Sequence, residues 1–282
     1  MNYWVVVVAK NAAEHISTTI QSLLDQTILP TKIIVVNDGS SDNTREILTK
    51  YAFEYPILHL VDLPDKGFDI RRVPSNLNIA LDSAHESTDE YLMISGDDST
   101  YPGNYVQSII ESMDEDPKIA VASGRPSQAG QRTDERTPSG SGRMVRVSFL
   151  KQVGFHFPIR AGWEAWLLYK AEQEGYTSQL FADLTYAHVR ARGASHHFTY
   201  WGAAMYTLGY HPLYALGRVA RNLIRQASIK SALGLLAGYL IAVLGSSDPF
   251  IAPFDRALRK YVRRRQSQEI SRVVSSRLRR LC

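Results

Sequence analysis

Cysteine is almost absent: the single one in 282 residues is Cys282. That excludes an intrachain disulfide framework and makes a reducing, intracellular setting the expectation. The opening MNYWVVVVAKN has neither a basic leader region nor a small-residue cleavage site, so a secretory signal is not expected. The uncharged stretch Ser231–Ser247 holds three glycines. It falls short of the roughly 20 apolar residues a spanning helix needs, so it is read as non-spanning. No Gly-rich phosphate loop followed by a lysine stands near the first apolar run, which ranks a nucleotidyltransferase last. No internal repeat is detectable, and no nucleic-acid-binding module accompanies the basic residues, so nucleic acid is not an expected partner.

What is present is an ordinary globular composition, 44% hydrophobic and 21% charged, with an uneven charge distribution. From Tyr210 onward there are 14 Lys and Arg against 3 Asp and Glu, while the preceding residues carry 18 against 25. Any polyanion, an anionic membrane leaflet above all, should therefore meet the tail. Before the tail, β-branched runs alternate with helical spacing. Strands are expected at Tyr3–Ala9, Lys32–Asn37, Ile57–Leu63, Tyr91–Ser95, Ile119–Gly124 and Thr177–Tyr186. Helices are expected at Ala13–Gln26, Asp42–Tyr51, Val73–Ala84, Asn104–Glu115 and Glu164–Glu174, with a strand or short helix at Met144–Val153. This rhythm predicts an α/β fold with a mostly parallel sheet flanked by helices, whose ligands sit at the carboxyl ends of the strands. Arg125–Gly142 is polar and rich in Gly, Pro and Ser, and reads as a long mobile loop or lid. After His197 the pattern is helical, giving an expected catalytic domain over 1–200 and a basic helical extension over 201–282.

Four constellations can carry chemistry. In IIVVNDGSSDNT a strand delivers Asn37, Asp38 and Gly39 at its carboxyl end; a carboxylate there can accept from a base or ribose, although an ordinary strand-to-helix turn favours the same residues. In YLMISGDDSTYP another strand ends in Asp97 and Asp98. These adjacent acids either face a divalent cation, Mg²⁺ or Mn²⁺, or form a solvated turn. In GFDIRRVPSNLN, Arg71 and Arg72 precede a helix start, where guanidinium and backbone N–H groups can converge on phosphate; Arg72 is the chosen clamp. In GWEAWLLYKAEQEGY, Glu164 stands between Trp163 and Trp166, and a carboxylate among indoles can serve as a base near neutral pH, while an acid in a first helical turn also suits the helix dipole.

Taken together, VVVVAKN, VVNDGSSDNT, RRVPSN, SGDDSTYP and GWEAWLLYKAEQEGY, in this order from Tyr3 to about His188, resemble the family-2 glycosyltransferases of the GT-A fold. The resemblance implies an inverting transferase moving a sugar from a nucleoside-diphosphate donor, a UDP-sugar by preference, to a hydroxyl of a glycan or lipid-linked acceptor. It implies donor-binding roles for Ala9, Asn11, Asp38, Gly39, Arg72, Asn76, Ser95, Gly96 and Asp97, with Asp97 as metal ligand and Asp98 and His188 as further candidates. It also implies that Glu164 is the catalytic base. Two positions depart from the family pattern: Ser95 stands where the first acid of D-x-D-D belongs, and Glu164 stands where Asp is usual. These departures motivate a second reading as a non-catalytic sugar-nucleotide-binding or membrane scaffold protein. Within the same fold, transfer to a polyprenyl phosphate is the other alternative.

In the tail, Arg218, Arg221 and Arg225 recur at helical spacing among apolar residues. Two readings stand: a helix pair lying on an anionic membrane, or a helical subdomain burying its apolar face. The expected location is cytoplasmic, peripheral on the inner face of a membrane.

Overall fold

The computed structural model describes the chain apart from residues 85–87, 129–130, 133–136, 190–195, 227–228 and 279–282, so Cys282 lies outside the described residues. The chain divides into two compact units, one of residues 1–157 and 174–191, the other of 158–173 and 192–282.

The first unit opens with β1 (Tyr3–Ala9), α1 (Ile16–Leu24), β2 (Lys32–Asn37), α2 (Thr44–Glu54) and β3 (Leu58–Asp62). It continues through α3 (Val73–Ser83), β4 (Tyr91–Gly96), β5 (Ser99–Thr100), α4 (Tyr105–Glu115), β6 (Ile119–Gln128) and β7 (Gln131–Arg132). It closes with β8 (Arg143–Arg146), α5 (Val147–Gln152) and β9 (Thr177–His188). The strands form one sheet in the order β3-β2-β1-β4-β8-β6-β9-β5, with β7 on β6. The ladders joining β3, β2, β1 and β4 are parallel, as is β6 with β9; β8 and the two-residue strands pair antiparallel. The expected α/β class and helix-flanked, mostly parallel sheet are therefore observed.

The sequence accounts for this locally. YWVVVVA can sit at the centre of a parallel sheet because both its faces are covered, and six of its seven residues are buried. On α1, Ile16, Thr19, Ile20 and Leu23 fall on one face and are buried. Val5 and Val7 join Ile16, Ile20 and Leu23 in one core with Val106, Ile109, Ile110 and Met113 of α4. One expectation is corrected. The segment from Arg125 begins as strand, because β6 runs to Gln128 beside β9, with a register shift after Gly124. Polar residues are tolerated there since the pairing is supplied by backbone groups of β9 and needs no apolar alternation. Parts of the expected lid, 129–130 and 133–136, lie outside the described residues.

The second unit consists of α6 (Trp163–Gln173), α7 (His196–Thr207), α8 (Pro212–Gln226), α9 (Ile229–Leu244) and α10 (Arg256–Leu278). On α10, Leu258, Val262 and Gln266 recur every four residues and are fully buried. Arg265 ties that helix to α6 through Glu172, Nε to Oε2 at 2.6 Å. Helices α7 and α9 cross at glycines: a Cβ on Gly202 would overlap the Leu235 carbonyl, and one on Gly238 the Thr199 carbonyl. Because these obstacles are backbone, the crossing cannot relax by a rotamer change. Gly238→Ala is expected to destabilise the helical unit by about 2 kcal/mol, read as a lowered midpoint in chemical denaturation; an unchanged midpoint would refute the close crossing.

Candidate functional site

Register brings three strand ends level. Ala9 pairs with Asn37 and Val8 with Gly96, so the residues following β1, β2 and β4 meet at one edge of the sheet. β1 is flanked by β2 on one side and β4 on the other. This reversal of strand order is where open α/β sheets place their ligands.

After β2, Asn37 accepts from the Ser40 amide and hydroxyl and donates to Asp62, which fixes the turn. Gly39 has a φ of +63°, and a Cβ there would overlap the Asp65 backbone, so the turn admits only glycine without strain. Asp38 is buried and paired with Arg72 in a fork: Nη2 to Oδ2 at 2.8 Å and Nε to Oδ1 at 3.2 Å. Arg72 Nη2 also donates to the Gly67 carbonyl, while Nη1 reaches only the Lys66 carbonyl, at 3.4 Å. The expected phosphate clamp is thus placed beside the expected base-binding carboxylate, with one guanidinium nitrogen lightly engaged. Arg71 turns to Asp69 instead.

The residue that joins the loops is Lys10, which the sequence reading passes over between Ala9 and Asn11. Its ammonium donates to the Asp38 carbonyl (2.9 Å), the Gly39 carbonyl (2.5 Å) and Asp65 Oδ1 (2.6 Å), and its backbone N–H donates to Asp97 Oδ2 (3.1 Å). Lys10, followed by the Gly67 amide, holds the Asp65 carboxyl below the usual carboxylate range. Asn11, in a left-handed conformation at φ 49°, takes the Ser41 amide on its side-chain oxygen and gives its own amide to Ser40. Ala9 is fully buried, and its carbonyl is used by the Asp38 amide, so it shapes the site only through the backbone. Asn76 is buried on α3, and its Nδ2 has no hydrogen-bond partner among the described residues.

After β4, Asp97 and Asp98 are both buried, with the Thr19 hydroxyl on the Asp97 carbonyl. His188 Nδ1 lies 3.1 Å from Asp98 Oδ2, brought there by the pairing of Ser99 with His188. Ser95, in the position of the missing acid, donates to the Gly96 carbonyl and meets the Tyr101 hydroxyl at 2.9 Å. Among the described residues no group of three His, Cys, Asp or Glu side chains converges as a metal site. Mg²⁺ and Mn²⁺ are commonly held by one or two carboxylates with substrate phosphates completing the shell, and Asp97 beside Asp98 fits that partial donor set.

Glu164 belongs to the second unit. It is exposed in the first turn of α6, whereas Trp163 and Trp166 are buried. The expectation of a carboxylate enclosed by indoles is therefore corrected: at helical spacing, residues 163 and 166 share a face that 164 does not. The nearby Tyr200 hydroxyl is pushed above its ordinary value by burial and by the Glu164 charge.

Acidic turns at the ends of parallel strands, at a reversal of strand order, are the layout of a GT-A-type transferase fold. The chain belongs to glycosyl transferase family 2, whose pattern it matches over residues 4–175. It is 31% identical over 117 residues to the uncharacterised glycosyltransferase YibD of Escherichia coli, covering 41% of this chain and 32% of that protein. It is 32% identical over 110 residues to a dolichyl-phosphate beta-glucosyltransferase of Trichomonas vaginalis, covering 38% and 31%. The match thus spans about a third of the length of these curated relatives. In fold, the chain is similar to Staphylococcus aureus TarS 1–349 in complex with UDP-GlcNAc, with TM-score 0.56, 19% identity and coverage of 72% and 65%. It is also similar to a mannosyltransferase of Pyrobaculum calidifontis in complex with GDP-Man and Mn²⁺, with TM-score 0.58, 18% identity and coverage of 88% and 76%.

Proposed function

We propose that this protein is an inverting glycosyltransferase that takes its sugar from a nucleoside-diphosphate donor, a UDP-sugar by preference, and delivers it to a hydroxyl of a glycan or lipid-linked glycan. The observation carrying this reading is the Lys10 tie, which sets the Asp38 turn and the Asp97 turn side by side. A nucleotide's base and its diphosphate are joined through one ribose, so a site for both needs the two turns adjacent. In this reading Asp38 accepts from the base, with Asn11, Gly39 and Asn76 shaping its pocket, and Arg72 offers its lightly engaged nitrogen to the diphosphate. Asp97 would hold the Mg²⁺ or Mn²⁺, assisted by the Asp98–His188 pair, and the bound ion would supply Lewis-acid stabilisation of the leaving diphosphate. Glu164 takes the proton from the acceptor hydroxyl as its oxygen bonds to the anomeric carbon. The bond from that carbon to the diphosphate oxygen breaks, and configuration inverts. The division into a catalytic domain over 1–200 and an extension over 201–282 belongs to the same proposal.

A second acceptor class is favoured by one comparison, the dolichyl-phosphate transferase relative. A phosphate acceptor is already ionised and needs no base, so one substitution separates the two. Glu164→Gln is expected to lower kcat for a hydroxyl acceptor by about 10²- to 10⁴-fold with little change in donor KM, measured with a panel of UDP-sugars. Unchanged turnover would move the phosphate acceptor to the front.

We also propose that the second unit rests on an anionic membrane surface on the cytoplasmic side. Among the described residues no helix is long and apolar enough to cross a membrane. Yet Leu213, Leu216, Leu223 and Ile224 of α8 and Leu240, Ile241 and Leu244 of α9 are exposed, with exposed Arg218 and Arg221 on α8. Apolar side chains bordered by arginines suit a headgroup boundary. Co-sedimentation with vesicles containing phosphatidylglycerol, reduced by Arg218→Glu with Arg221→Glu and weak with phosphatidylcholine alone, is the expected result; no sedimentation with either lipid overturns the membrane role.

A further inference from the structure

Ser95 stands where the first acid of the family's D-x-D-D pattern belongs, and the turn that follows it is held by hydroxyls from elsewhere in the fold. Ser141 comes from the polar segment just ahead of β8, far from β4 in sequence. Its Oγ accepts the Gly96 N–H at 2.8 Å and lies 2.8 Å from both the Ser99 hydroxyl and the Tyr101 hydroxyl. Tyr101 in turn meets Ser95 Oγ at 2.9 Å. The result is a chain of neutral hydroxyls, Ser95–Tyr101–Ser141–Ser99, running along the backbone of the turn that carries Asp97 and Asp98.

Ser141 is itself held rigidly. Its carbonyl receives the Tyr186 hydroxyl at 2.7 Å, and the next carbonyl, of Gly142, receives the Tyr105 hydroxyl at 2.7 Å. The rings of Tyr101, Tyr105 and Tyr186 pack on one another with centroids 4.9 to 5.7 Å apart. There is little slack at the turn: a Cβ on Gly96 would stand 3.1 Å from Asp98 Oδ1 and 3.2 Å from Ser141 Oγ. A third carboxylate here would add repulsion to two buried acids, whereas hydroxyls satisfy the backbone without charge.

We propose that Ser141 is a positioning residue for the carboxylate turn, holding it through a neutral hydroxyl bridge and coupling residues 138–142 to the donor site. This rests on the proposed donor reading only where binding is measured, so the test has one arm that does not use a ligand. In the free protein, Ser141→Ala is expected to speed hydrogen exchange at the amides of residues 96–99 while leaving those of α1 and β2 unchanged, and Ser141→Thr, which keeps the hydroxyl, is expected to restore most of the protection. In calorimetric titration with UDP and Mn²⁺, Ser141→Ala is expected to weaken binding about 10- to 100-fold, the usual cost of losing a partner behind a metal ligand. Tyr101→Phe, introduced separately, is expected to reproduce both effects, and the double variant to be no worse than either single one because the hydroxyls act as a unit. Wild-type exchange at 96–99 in a folded Ser141→Ala protein overturns the proposal, and so does an equal rise in exchange across the whole unit. If the wild-type protein binds no UDP, the donor reading fails while the exchange arm still decides the role of Ser141.

Discussion

A single lysine holds two acidic turns together. Parallel strands β1, β2 and β4 end level, so the turns that follow them crowd carboxylates and carbonyl oxygens into one edge of the sheet. Lys10 answers this with three ammonium contacts on the β2 side and a backbone contact on Asp97. Arg72 does the same for the Asp38 carboxylate. The proposed reading, in which the site accepts a dianionic diphosphate among buried acids, calls for this cationic framing before any ion or substrate arrives.

Much of the sheet was legible because its signal is physical and local. A run such as YWVVVVA has few alternatives to a doubly covered strand, and KIIVVN ends where Asp38 and Gly39 turn the chain. The turns bearing Asp38 and Asp97 were found for the same reason: they follow those strands directly. Lys10 was not legible as a tie, since its three acceptors come from the turn after β2 and the loop after β3, and only tertiary contact assembles them. Ser141 lies in a polar stretch with no periodicity, and its importance arises from tyrosines at 101, 105 and 186 that meet only in the folded unit. The strand character of Arg125–Gln128 was hidden likewise, being imposed by β9 rather than by its own side chains.

The two departures from the family pattern acquire different meanings. At Ser95, where an acid is missing, a chain of hydroxyls reaches the backbone of the turn, leaving less charge to neutralise. At Glu164 the carboxylate is presented outward at the start of α6, while the neighbouring tryptophans are spent on packing in the helical unit. In the proposed reading one change concerns the stability of the donor turn and the other the reach of a base. The helical unit combines a tightly crossed interior at Gly202 and Gly238 with leucines left exposed on α8 and α9. Those exposed leucines are the residues the proposed membrane contact would use.

The central claim is that the Asp38 and Asp97 turns form one nucleoside-diphosphate site. Its most direct measurement is calorimetric titration of UDP into the wild-type protein and Asp97→Ala, each with and without Mn²⁺. Binding by the wild type that tightens with Mn²⁺, and loses that gain in Asp97→Ala, is the expected result; no binding of UDP or any other nucleoside diphosphate under either condition would contradict the account.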